Sequence, residues 1–89
     1  MGNKPVIKVE RIHRLESDGA TKAFCDLLIL DTFVVKGLRV VLGKDGLFVS
    51  MPQEKGRDSK WYDTFYPLSK EMRKGLEELV LETYNEKEK

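Results

Sequence analysis

Phe33-Val34-Val35-Lys36-Gly37-Leu38-Arg39-Val40-Val41-Leu42, then Gly43-Lys44-Asp45-Gly46, then Leu47-Phe48-Val49-Ser50-Met51-Pro52, is the most legible part of the chain. Two strand-like runs flank a turn that begins and ends on glycine, which supplies positive φ at little steric cost. The stretch therefore reads as a β-hairpin. Val34, Val35, Val40 and Val41 are β-branched and suit a pleated, half-buried surface. Gly37 inside the first run predicts a bulge or a close backbone approach. Pro52 ends the second run because it offers no N–H to a ladder.

Two strands are expected before this hairpin. Phe24 to Leu30 is nearly all apolar, broken by Asp26, and Asp31-Thr32 separates it from Phe33. Val6 to Leu15 mixes Val6, Ile7, Val9 and Ile12 with Lys8, Glu10, Arg11 and Arg14, the pattern of a half-buried strand. Ser17-Asp18-Gly19 supplies the turn between them. After Pro52, the polar stretch Gln53 to Lys60 reads as an exposed, mobile loop, and the aromatic-rich Trp61 to Tyr66 as a fifth strand. Pro67 and Ser69 open a helix over 69–85, with Ser69 as N-cap. Met72, Leu76, Leu79, Val80, Thr83 and Tyr84 recur at helical spacing as one apolar stripe. The tail from Glu86 to Lys89 is expected to fray. The fold class is α+β: an antiparallel-dominated sheet of about five strands with one C-terminal helix, in a single domain over 1–89.

Composition narrows the function. The 89 residues carry 16 Lys and Arg against 15 Asp and Glu, a formal net charge of +1, which is not the signature of a DNA packer. Charged residues make up 35% and hydrophobic residues 40%, so the chain should fold. One Cys and one His cannot build a disulfide framework or a common structural zinc site. The longest apolar run, Leu27 to Leu30, is far too short for a membrane helix. Nothing at the start reads as a signal sequence, and Val6 stands where a myristoylation pattern wants Ser or Thr. A cytoplasmic protein with no cofactor, no membrane and no small-molecule substrate is expected.

Leu27-Leu28-Ile29-Leu30 and Val40-Val41-Leu42 do not alternate, so the sheet should be apolar on both faces, while one helix covers only one. The economical solution is a homodimer joined through sheet faces or edges.

Phe33 to Val40 followed by Gly46-Leu47-Phe48-Val49-Ser50-Met51-Pro52 resembles the stage V sporulation protein G (SpoVG) family. So do the polar loop, the aromatic segment ending Tyr66-Pro67-Leu68, the helix with Arg73, and the early Asp18-Gly19 turn. The resemblance spans roughly Ile7 to Tyr84. It implies a small dimeric bacterial regulator that binds nucleic acid, associated with septation and sporulation. Tyr66 stands where members commonly have His, and the longer acidic tail of some members is missing; neither feature is carried over.

Candidate binding residues fall into groups. Lys70, Arg73 and Lys74 sit in the first turns of the helix and Glu77, Glu78 and Glu82 follow, the reverse of what the helix dipole prefers. With Ser69 and the free first-turn amides they suit a phosphate receptor; an ordinary solvated helix face is the alternative reading, and the family resemblance brings the two level. Lys55, Arg57 and Lys60 lie beside Trp61 and Tyr62, a basic and aromatic combination that suits nucleic acid, although these two aromatics are themselves expected in the core. Lys8, Arg11, Arg14 and Lys22 form a third group, which also fits simple protection of an edge strand. A His13–Cys25 dyad is conceivable if the first two strands pair, yet no orienting group or oxyanion donor accompanies it, so no enzyme is expected. The reading is binding of DNA, with RNA as a second target, to regulate expression or division. The alternative is a dimeric protein–protein interaction module.

Overall fold

In a computed structural model, which describes residues 6–16 and 18–87, the chain runs as an antiparallel meander followed by a small hairpin and a helix. β1 (Ile7–Arg14), β2 (Thr21–Ile29), β3 (Phe33–Gly43) and β4 (Gly46–Ser50) form one four-stranded sheet in the order β1-β2-β3-β4. β5 (Gln53–Lys55) and β6 (Trp61–Asp63) pair only with each other, and α1 spans Lys70–Lys87. Met1-Gly2, Ser17 and the last two residues of the tail, on all of which the sequence raises expectations, lie outside the described residues.

The turns follow from local chemistry. Gly43 pairs with Gly46 across the β3–β4 turn, and Gly46 has φ +117°, a conformation open to glycine and strained for any side chain. Between β2 and β3, Leu30 and Asp31 both adopt positive φ (53° and 51°), and the Thr32 amide donates to the Ile29 carbonyl at 2.9 Å. Two successive left-handed residues form the turn type whose twist matches paired strands. Gly37 meets both of its expectations. The β2–β3 register shifts opposite it, its φ is +100°, and a Cβ there would lie 3.5 Å from the Pro52 side chain.

Strand alternation sorts the sheet into a covered and an open face. Ala23, Cys25, Leu27, Leu38, Val40, Val49 and Met51 are buried beneath α1, which contributes Leu76, Val80 and Tyr84. On the other face the cross-strand pairs Phe24–Arg39, Leu28–Val34 and Val41–Phe48 mix apolar and cationic groups. Phe24, Val34 and Phe48 remain exposed there. The open face is therefore less uniformly apolar than the unbroken hydrophobic runs imply.

Three expectations need correction. The sheet has four strands, because the chain leaves it at Pro52 and Trp61–Asp63 pairs elsewhere. The segment read as a mobile loop contains β5 and an organised turn. Its amides find partners in β6, and the Pro52 carbonyl accepts from the Thr64 amide at 2.8 Å and the Thr64 hydroxyl at 3.2 Å. Third, Met72 is 63% exposed and Leu79 only half-buried, so the buried stripe is narrower than the apolar spacing. The helix also continues through Glu86 and Lys87, beyond the expected end.

Candidate nucleic-acid interface

The start of α1 is built as the N-cap chemistry requires. The Ser69 hydroxyl accepts from the Met72 amide at 3.1 Å, and the Ser69 carbonyl accepts from the Arg73 amide at 3.0 Å. Other amides of the first turn have no partner within the helix. At 3.6 residues per turn, Lys70, Arg73 and Lys74 fall within about 100° of one another. Glu77 lies in the middle of that arc, and its carboxylate accepts from the Val49 amide at 3.3 Å, so this flank of the helix turns toward β4. Arg73 Nε stands 4.0 Å from Glu77 Oε1, a loose contact that leaves the guanidinium largely available. Lys70 and Lys74 are exposed and form no ion pair among the described residues. The four residues expected at the helix start thus share its first turns, where three cations stand beside one exposed acid, Glu71, at the positive end of the helix.

Lys55, Arg57 and Lys60 surround the turn of the β5–β6 hairpin, and all three are exposed. Asp58 holds the turn, accepting from the Lys60 amide at 3.0 Å and from the Tyr62 hydroxyl in a short contact. The bond from Tyr62 keeps the Asp58 carboxyl below its ordinary range, and the same bond pushes the Tyr62 phenol up. Trp61 and Tyr62 are 63% and 50% exposed, which overturns their assignment to the core. A three-residue strand in a two-stranded hairpin has no second layer to bury them.

The two basic groups stay on separate elements, the first on the helix and the second on the hairpin. The third group disperses. Lys8 Nζ pairs with Asp31 Oδ1 at 3.1 Å, and Arg14 points to the covered face, where it binds Tyr84. What the sequence did not reveal is a groove of about 790 Å³ beside the hairpin. Phe24, Lys36, Arg39, Pro52, Glu54 and Trp61 line it. These residues are far apart in the chain; only the register of β2 with β3, and the Gly37–Pro52 contact that seats the hairpin, could have foretold their meeting.

The Cys25–His13 dyad does not form. Ile12, not His13, is opposite Cys25 in the β1–β2 register, so the thiol faces the core and the imidazole lies on the other side. Burial, reinforced by the Asp26 charge, raises the Cys25 thiol to about 11, which leaves it protonated and a poor nucleophile at neutral pH. No group of three or more His, Cys, Asp or Glu suited to a metal ion occurs among the described residues, and no helix among them is long and apolar enough to cross a membrane.

Comparison with known proteins adds an independent line. Residues 5–86 match the family model described as SpoVG. The chain is similar to a protein of Archaeoglobus fulgidus, with 41% identity over 78 residues, covering 88% of this chain and 92% of that one. A Staphylococcus carnosus protein is 36% identical over 85% of this chain and 71% of its own. A Staphylococcus aureus protein is 33% identical over 85% of this chain and 76% of its own. All three carry the name "Putative septation protein SpoVG".

Proposed function

We propose, from the premise that the chain belongs to the SpoVG family, that it is a nucleic-acid-binding regulator acting without catalysis in the cytoplasm. The relatives' shared name directs that regulation to septation, and the family resemblance extends it to sporulation. The observation that carries the binding reading is the helix start. Lys70, Arg73 and Lys74 share one flank beside a Ser69 cap, outnumbering the first-turn acid Glu71, and a first-turn cation such as Lys70 stands against the dipole preference at a cost of about 0.3–1 kcal/mol. A phosphate at that end offsets the cost. Lys55, Arg57 and Lys60 on the hairpin form a second, separate cationic group in this reading. DNA is the first target and RNA the second; a selection from random DNA and RNA pools tests both, and recovery of neither overturns the reading.

The working form is a homodimer. An apolar groove of about 530 Å³ between the helix and the start of β1 is lined by Val6, Ile7, Phe65, Met72, Leu76 and Leu79. Val6 and Met72 are both well exposed on its rim, and Leu68 nearby in sequence is 90% exposed. Met72 and Leu79 lie on the helix flank opposite Lys70 and Lys74, so a second copy seated there leaves the basic flank open. A sedimentation mass of 10.3 kDa at micromolar concentration contradicts the dimer.

A further inference from the structure

We propose that the groove between the β5–β6 hairpin and the open face of the sheet receives an unpaired base of single-stranded nucleic acid. Trp61 and Phe24 provide the stacking surfaces, and Lys36 and Arg39 meet the adjoining phosphates. The inference rests on the nucleic-acid reading above and deepens it by naming a site and a strand form which that reading leaves open.

Four observations converge on this ligand. The groove, at about 790 Å³, is within the ordinary range for small-ligand sites of roughly 300–1,000 Å³. Trp61 is the only tryptophan in the chain and stands mostly in solvent, a costly place for the largest apolar surface available. The hairpin bearing it is closed at its base, because Gln53 donates to Asp63 at 2.7 Å and Thr64 closes onto Pro52, and the buried Pro52 lies against Gly37 of β3, which sets the hairpin beside the sheet. Lys36 and Arg39 form no ion pair among the described residues, and Glu54 is the single acid against these two bases in the lining. Aromatic faces beside unneutralised cations match a base with its phosphate, and stacking tolerates any base because each has a π-face. Duplex bases are already stacked on one another and cannot enter. A peptide with an aromatic and an acidic side chain is the competing occupant.

The test uses the full chain with a labelled short oligothymidylate and a blunt duplex, reading anisotropy and the fluorescence of Trp61. Quenching by the oligothymidylate and not by the duplex is expected. Trp61→Ala and Phe24→Ala should each weaken oligothymidylate binding about tenfold, equivalent to about 1.4 kcal/mol, and Trp61→Phe should retain most of it. Duplex binding should stay within about twofold of the parent. Lys36→Gln with Arg39→Gln, which spares the aromatics, should flatten the salt dependence on the single strand. Oligothymidylate binding that leaves Trp61 unquenched and survives both alanine variants overturns the groove while leaving the helix site standing. Failure of the parent to bind either nucleic acid overturns both, and points to the peptide.

Discussion

Arg14, at the end of β1, lies over the ring of Tyr84 in the last turns of α1, its guanidinium carbon 3.8 Å from the ring centroid. The same guanidinium donates to the Tyr84 carbonyl at 2.8 Å and to the Tyr84 hydroxyl at 3.1 Å. A cation at a helix C-terminus is favoured by the dipole, so one side chain fastens the helix to the sheet edge. Arg14→Ala should cost about 2 kcal/mol or more in denaturant unfolding, from the loss of two charge-assisted hydrogen bonds and a cation–π contact. Arg14→Lys should recover only part, since an ammonium cannot reproduce the planar fork.

Leu76 is buried and Met72 exposed on the same apolar spacing. Leu76→Ala should destabilise by about 2–5 kcal/mol. Met72→Ala should change monomer stability by less than about 0.5 kcal/mol and instead weaken the proposed dimer, read by sedimentation as a lower mass. Equal effects on unfolding would place Met72 in the core.

Leu30 occupies the left-handed region with a branched side chain, where asparagine is better tolerated. Leu30→Asn should stabilise the monomer by about 1 kcal/mol, visible as a higher denaturant midpoint.

Cys25 gives a pH signature. Its thiol is raised from an ordinary 9.0 to about 11 by burial first and Asp26 second. Because the folded value lies above the unfolded one, the neutral thiol's contribution is complete below pH 9 and is lost as pH rises through about 11. Thiol labelling at neutral pH should therefore track global unfolding, and labelling of the native protein as fast as a free thiol would contradict the burial.

Much of the fold is legible because local chemistry carries it. Gly37 announced both the bulge and the close approach, Gly46 the hairpin, and Ser69 the cap, each through a backbone requirement that few residues meet. The misses share one cause. Gln53-Glu54-Lys55 has no apolar alternation to mark it as a strand, and its pairing with Trp61–Asp63 is fixed by the Pro52 break and the Asp58 turn. Once that hairpin stood apart from the sheet, Trp61 and Tyr62 could not be core. Arg14 looked like an exposed base because its partner lies 70 residues away. The helix-start cluster was readable from spacing alone, whereas the groove between Phe24 and Trp61 depends on register.

On the proposed function, phosphate is held at the start of α1. The most direct measurement of this is the salt dependence of DNA binding for the parent and for Arg73→Ala with Lys74→Ala. Both side chains are exposed, so folding should be preserved. The double variant should bind more weakly, with a slope of log affinity against log salt shallower by about one unit per lost phosphate contact. An unchanged affinity and slope in the double variant, with binding abolished by changes at Lys55, Arg57 and Lys60, would contradict it and move the site to the hairpin.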